Sequence, residues 1–377
     1  MSKQPTPRPR RGMLFQAPKL IAGLVVAYGA VLALILSPEI QTRVVYGHHR
    51  GFSTTPNFSL PEDFGLAPGK AVNLYLKSAD NTTLGAWFVA SETHYRSLPF
   101  PAAKPLDVRT AISKRPTILF LHGNSGHRAA PHRVVSYSGF SSRLDVNVLA
   151  IDYRGFGDSE GSPTMQGVVA DARAGWEWLR EMGAEAKDVV VVGHSLGTAI
   201  AALLAAELGG ERVVPRGLVL SAPFASLRAV YHDYNLWGFL PLFKPLGLVP
   251  AVSAYMMGLT AHAFDTLSIV PKIGCPVLIA HAENDLLFPH AQSDMIFDAF
   301  LGALAVDGTN ANMISSRELR QKHNVEVQEI PAFGTLSESK GERRLVMLKV
   351  VEGAHDLLRV EGIQDVMGRV FGFFNST

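Results

Sequence analysis

Residues 189–208, VVVVGHSLGTAIAALLAAEL, decide the fold. Four consecutive valines read as a strand buried on both faces, and the small-residue run that follows reads as a helix. Between them, Gly193-His194-Ser195-Leu196-Gly197 fits the pattern G-x-S-x-G. In a strand, sharp turn and helix, that turn lifts the serine hydroxyl above the sheet edge, while the glycines remove side chains that would collide there. Ser195 is therefore the expected nucleophile. The pattern recurs as Gly157-Asp158-Ser159-Glu160-Gly161, but several residues beyond its strand, and two acids flank the hydroxyl and oppose formation of an alkoxide. Ser159 reads as a loop residue.

Outward from this stretch, short apolar runs alternate with segments long enough for helices. They are AVNLYL from 71, LGAWFV from 84, TILFLH from 117, VNVLAIDY from 146, GLVLSA from 217, PVLIAH from 276 and LVMLKVV from 345. Several are apolar throughout, as strands covered on both faces are, so the expected fold class is α/β with a mostly parallel central sheet, an α/β-hydrolase fold. The first two runs lie a few residues apart and predict an antiparallel hairpin at the sheet edge.

A serine hydroxyl needs a base, and the base needs a carboxylate to fix its tautomer; in this fold the chain order is serine, acid, histidine. Asp285, in His281-Ala282-Glu283-Asn284-Asp285, follows the strand PVLIAH and is preferred to Glu283, which lies closer to the strand. His355, in Glu352-Gly353-Ala354-His355-Asp356, follows the last strand; of thirteen histidines it alone does so. His290 opens a helix and His323 lies in a polar stretch, so both read as structural or solvated, and Asp356 reads as a helix N-terminal residue. Attack on a carbonyl also requires donors for the oxyanion. The turn Leu121-His122-Gly123-Asn124-Ser125-Gly126 follows a strand, and the backbone amides of Asn124 and Leu196 are the candidates. No metal or cofactor is expected: H-E-x-x-H is absent, His281-Ala282-Glu283 lacks the accompanying P-C-x-x-C of zinc deaminases, and no Walker or dinucleotide glycine signature stands in context.

The 377 residues are 47% hydrophobic and 18% charged, against a usual ~25% charged. Disorder, collagen and coiled coil are excluded. The net charge is +2, yet residues 1–19 carry five basic side chains and no acid, so the other 358 sum to −3 and nucleic acid is not an expected partner. A single cysteine, Cys275, excludes an internal disulfide and any multi-thiolate metal site.

From Leu20 to Leu36 run seventeen uncharged residues, ~26 Å of helix at 1.5 Å per residue. With basic residues before the run, it reads as an uncleaved transmembrane anchor with a cytosolic amino terminus, which places the rest on the lumenal side. There Asn57-Phe58-Ser59 and Asn81-Thr82-Thr83 are glycosylation acceptors. The expected organisation is a basic tail (1–19), an anchor (20–36), a Pro/Gly/Arg-rich linker (37–70) and a hydrolase domain (71–377). Two segments interrupt the alternation within that domain. Residues 224–268, apolar and broken by Pro241, Pro245 and Pro250, read as a cap over the site. Residues 306–344, polar and mixed in charge, read as a surface insertion.

Together HGNSG, DYRGFGDSEGSP, GHSLGT, AEND and GAHD resemble the membrane-anchored α/β-hydrolase-domain serine hydrolases of the monoacylglycerol lipase and lysophosphatidylserine lipase branch, over roughly residues 70–375. The resemblance implies a lipid esterase whose triad maps to Ser195, Asp285 and His355, anchored in the endoplasmic reticulum with a lumenal catalytic domain. The expected function is hydrolysis of carboxylic esters of acyl lipids, monoacylglycerol or lysophospholipid, with the membrane as partner; nothing in the sequence sets an oligomeric state. The long insertion and the GAHD context depart from the pattern and bear on head-group preference. An acyltransferase or a protein thioesterase would use the same triad, and a scaffold that had kept the fold without activity is the remaining alternative; the cysteine-rich amino terminus of the thioesterase branch is missing.

Overall fold

The computed structural model describes residues 12–35, 37–48, 56–101, 105–227, 229–230, 235–236, 240–241, 264–304, 315–341 and 343–375. Ten strands form one sheet: β1 (Ala71–Lys77), β2 (Thr83–Val89), β3 (Thr117–Leu121), β4 (Asn147–Ile151), β5 (Val189–His194), β6 (Gly217–Ser221), β9 (Val277–Ala282), β10 (Glu326–Ile330), β11 (Gly334–Lys340) and β12 (Arg344–Val350). A two-residue ladder, β7 (Asn235–Leu236) with β8 (Leu240–Pro241), stands apart. The sheet order is β1-β2-β4-β3-β5-β6-β9-β12-β11-β10. From β4 to β12 all neighbours are parallel. The expected hairpin β1–β2 closes one edge, with β2 antiparallel to β4.

The helices are α1 (Gly12–Ile35), α2 (Pro38–Tyr46), α3 (Glu92–Arg96), α4 (Val108–Lys114), α5 (Pro131–Arg143), α6 (Met165–Glu181), α7 (Leu196–Gly210), α8 (Thr266–Ile269), α9 (Ala291–Leu304), α10 (Ser316–Lys322) and α11 (Glu361–Phe371). They cover both faces of the sheet, which is why its central strands are apolar without alternation. The valines of β5 divide by parity. Val189 and Val191 pack with Trp176 of α6 and Ile200 of α7, while Val190 and Val192 pack on the other face with Phe140 of α5 and Met367 of α11. All four are fully buried, each contributing ~1.5–3 kcal/mol.

Two stretches differ from the sequence reading. Part of the expected linker is ordered: Ser37 caps α2 with its side chain, Gly47 ends it at φ +59°, and Phe58 and Leu66 enter the core. The polar insertion supplies α10 and two strands, β11 pairing antiparallel with β12 and β10 with β11. Residues 305–314 and most of the expected cap lie outside the described residues. At the amino terminus, no single helix among the described residues is long and apolar enough to cross a membrane; Pro18–Leu34 and Pro38–Tyr46 are so only as a pair, bent by 68°.

Candidate active site

β5 delivers Ser195 into a turn that only close glycine packing allows. The residue sits at φ +53°, ψ −120°, a region that costs a non-glycine residue of order 1–3 kcal/mol and that a folded scaffold must impose. Its N–H donates to Ser221 O at the end of β6, 2.9 Å away, and Thr198 bonds back to Ser195 O. A Cβ on Gly193 would lie 2.4 Å from Gly197 O, and one on Gly197 only 2.0 Å from Leu121 O. Both glycines are therefore steric requirements.

Asp285 and His355 come from the ends of β9 and β12, neighbouring parallel strands. Asp285 Oδ2 accepts from His355 Nδ1 at 2.8 Å and from His281 Nε2 at 3.2 Å. Its Oδ1 accepts from the amides of Leu287 (2.8 Å) and Phe288 (3.2 Å). Burial alone would push this carboxyl up, but the two imidazoles and the amides outweigh it and hold the group well below the usual carboxylate range. The two loops are stitched together by Asn284, whose Oδ1 accepts from the Ala354 amide at 2.8 Å and whose Nδ2 donates to Glu352. Glu283 is exposed, and its amide donates to Val350 O.

His194 links the histidine loop to the serine turn. Its Nε2 donates to His355 O at 2.8 Å, and the two rings lie 5.1 Å apart. Burial, and then the nearby His355, lower its pKa to about 3, so it is neutral and its bonding tautomer is fixed. Phe288 packs edge-on against His355 at 5.4 Å. The Asp285–His355 pair is thus tied, through His194, to the turn that carries Ser195.

The turn after β3 lies against the serine: a Cβ on Gly123 would stand 3.0 Å from Ser195 Cβ. Neither the Asn124 nor the Leu196 amide is engaged by another described residue. α2 reaches this turn. Asn124 Nδ2 donates to the carbonyls of Val44 and Val45, and the Ser125 amide donates to Tyr46 O at 2.8 Å. Tyr46 is buried edge-on against Phe156 and Phe264.

The other sequence candidates are occupied elsewhere. Ser159 Oγ donates to Asp152 O at 2.7 Å and accepts from the Gly85 amide at 2.9 Å, latching the β4 loop to β2. Asp356 lies 3.7 Å from His194 and 3.8 Å from His132. Sequence reasoning missed the buried network beneath the turn. Arg128 donates to Asp152 at 2.6 Å and to Asp158 at 2.6 and 3.0 Å, and stacks 4.1 Å over Phe58. Its members are 24 and 30 residues apart, so no local pattern betrays them.

A mostly parallel sheet with a strained serine turn at its central strand, and an acid and a histidine following later strands, defines the α/β-hydrolase class of serine hydrolases. Residues 113–249 match the family model described as Hydrolase_4, serine aminopeptidase S33. Lysophosphatidylserine lipase ABHD12 of Danio rerio is 31% identical over 322 residues, spanning 83% of this chain and 81% of that protein; the Gallus gallus protein is 33% identical over 295 residues, spanning 76% and 73%. Among solved structures, an esterase of Pyrococcus furiosus aligns with a TM-score of 0.52 at 16% identity over 88% of this chain and 98% of its own. An α/β hydrolase of Vibrio vulnificus gives 0.53 at 17% identity over 90% and 94%. The chain belongs to the ABHD12 family of α/β-hydrolases and is a serine hydrolase of the lipase-like, ester-cleaving kind.

Proposed function

We propose that this protein hydrolyses the carboxylic ester of single-chain acyl lipids, with lysophosphatidylserine as the first substrate to test, and monoacylglycerol second. The observation that carries the reading is the 2.8 Å bond between Asp285 and His355, on a histidine loop that His194 ties to the serine turn. The names of the relatives supply the lipid class. In this reading Ser195 Oγ attacks the acyl carbon while His355 Nε2 takes its proton, and the amides of Asn124 and Leu196 hold the oxyanion. The tetrahedral adduct collapses as His355 returns the proton to the departing alcohol oxygen, leaving an acyl-serine. Water, deprotonated by the same histidine, then releases the fatty acid.

The amino terminus acts as the membrane anchor. Leu20, Leu24, Val25, Val26 and Leu34 of α1 expose apolar side chains, a stripe that lipid would cover. The basic residues before them keep that end cytosolic, so the catalytic domain is lumenal, in the endoplasmic reticulum. Asn57 and Asn81, both exposed, then carry glycans, and an endoglycosidase mobility shift tests that topology.

The decisive experiment labels membranes containing wild type, Ser195→Ala and Ser159→Ala with a fluorophosphonate, followed by fatty-acid release from the two lipids. Labelling and release lost in Ser195→Ala alone supports the reading. Labelling retained in Ser195→Ala overturns it, and labelling without release from either lipid overturns the substrate class.

A further inference from the structure

Arg133 of α5 is a buried cation in an unusual setting. Among the described residues no carboxylate lies within ion-pair distance of its guanidinium, which is directed instead at three backbone carbonyls of the turn after β3. Nη1 donates to His127 O at 3.0 Å, and Nη2 donates to Ser125 O at 2.7 Å and Gly123 O at 3.3 Å. Burial pushes the guanidinium below its usual value. A desolvated cation is expensive to keep, and an apolar side chain on α5 would pack the core without that cost.

The Gly123 carbonyl has a second donor. His122 Nδ1 lies 2.8 Å from the same oxygen; a carbonyl only accepts, so this ring nitrogen carries the hydrogen. Gly123 C=O and Asn124 N–H are the two ends of one planar peptide, and it is trans, the only cis bond among the described residues being Phe100–Pro101. The two ends therefore point in opposite directions. Holding the oxygen toward Arg133 and His122 fixes the direction of the Asn124 N–H. A positive charge on the oxygen side also draws electron density off the peptide nitrogen, and in a low-dielectric interior that polarisation is not screened by water.

We infer that Arg133, with His122, is a positioning residue of the reaction: it aims and polarises the Asn124 amide as an oxyanion donor through the far end of the same peptide. This rests on the reading that Ser195 attacks an ester whose oxyanion meets Asn124. A carboxylate partner would have neutralised Arg133. With no ion-pair partner among the described residues and only Asp152 and Asp356 acting at longer range, a positive charge is left one peptide away from where negative charge develops.

The test uses the full-length protein in detergent micelles and a p-nitrophenyl ester. Fluorophosphonate titration counts competent sites, so that kcat is expressed per site. Arg133→Met is expected to lower per-site kcat ~10- to 100-fold, less than the 10²–10³-fold typical when an oxyanion donor is lost outright, with KM within about threefold. An aliphatic trifluoromethyl ketone, which forms an oxyanion adduct, should weaken in parallel with kcat/KM. The matching alcohol, which forms none, should bind as before. Arg133→Lys should recover part of the loss by restoring the charge. A purely structural role would reduce the number of titratable sites and leave per-site kcat unchanged, and that result overturns the inference, as does equal weakening of ketone and alcohol. Should Arg133→Met not fold, Arg133→Lys and His122→Phe decide: unchanged per-site kcat in both overturns it. Ser195→Ala in the same panel separates the two claims. Retained labelling there removes the underlying reading, whereas abolished labelling with an unimpaired Arg133→Met removes only this one.

Discussion

Replacing Asp285 by asparagine isolates the electrostatic part of the site, because the side chains are nearly isosteric. Oδ1 of Asp285 accepts from two backbone amides, Leu287 and Phe288. An asparagine must keep its oxygen there, which turns its NH₂ toward His355 Nδ1. A donor at that position obliges His355 to present a lone pair on Nδ1 and to carry its hydrogen on Nε2, the atom that should accept from Ser195. The wrong tautomer and the lost charge together are expected to cost ~10⁴ in kcat, as in other triads, or ~5 kcal/mol at 1.36 kcal/mol per tenfold. Stability should fall as well, because two ring N–H groups lose a charged acceptor, each bond worth ~1.5–3 kcal/mol. Since Asp285 is held well below the usual carboxylate range, it stays ionised down to acid pH, and the acid limb of kcat/KM should have a slope of one. The contribution of its charge to stability is present above the unfolded carboxylate pKa and is lost as pH falls below it. Initial rates on a p-nitrophenyl ester and urea unfolding measure both effects, with exposed Glu283→Gln as the control, expected within twofold of wild type. An Asp285→Asn variant retaining more than a tenth of the wild-type rate, or a Glu283→Gln variant losing as much, would refute the assignment of the acid.

Ser159→Ala should keep full fluorophosphonate labelling while losing ~1–3 kcal/mol in urea, because it leaves the Gly85 amide and Asp152 O without their shared hydroxyl. Arg128→Met leaves the buried Asp152 without its charge partner; burial pushes that carboxyl up but Arg128 holds it at about 2, so ~3–5 kcal/mol should be lost at pH 7. Wild type loses Asp152's contribution as pH falls from the usual carboxylate pKa toward 2, whereas the variant relieves its unpaired charge by protonation, so the deficit should shrink in acid titrations followed by circular dichroism. Gly197→Ala, with a Cβ 2.0 Å from Leu121 O, should abolish labelling even where some protein remains soluble. Asn124→Ala keeps the backbone N–H but removes both side-chain bonds to α2; a stability loss of ~1–3 kcal/mol with at least a tenfold fall in kcat is expected, and an unchanged kcat would show that α2 does not steady the turn.

What the sequence reveals depends on whether a residue's role is local. The eight apolar runs are all strands of the sheet; apart from the edge strand β1, they are buried nearly throughout, and burial on both faces leaves an unbroken apolar signature. Ser195, Asp285 and His355 stand just past β5, β9 and β12, where the pattern of apolar runs alone puts them. β10 and β11 were not: Glu326, Val327, Gln328 and Glu329 are exposed, so an edge hairpin has no apolar face to announce it. α2 is short and sits among prolines and glycines, yet Ser37 before Pro38 and Gly47 after Tyr46 are cap signals that could have found it. His194 bonds to a carbonyl 161 residues away, and Arg133 and His281 bond across irregular turns to atoms 4 to 12 residues away, so no helix or strand period marks any of them.

The turn after β3 is held from two directions by unlike means. On the core side, Arg133 and His122 fix carbonyl oxygens; on the outer side, the last carbonyls of α2 are satisfied by Asn124 and Ser125. Helix C-termini leave carbonyls that must find donors, and here the donors lie in the turn that faces the nucleophile. α2 follows α1 after a break of two residues, 36 and 37. The turn that packs on Ser195 is thus tied to the amino-terminal part of the chain through one nine-residue helix and three hydrogen bonds. Tyr46, the last residue of that helix, is also wedged between Phe156 and Phe264. In the proposed function, where α1 anchors the chain and the Asn124 amide meets the oxyanion, this one short helix couples anchor to catalytic turn, an arrangement that suits a substrate arriving from the bilayer.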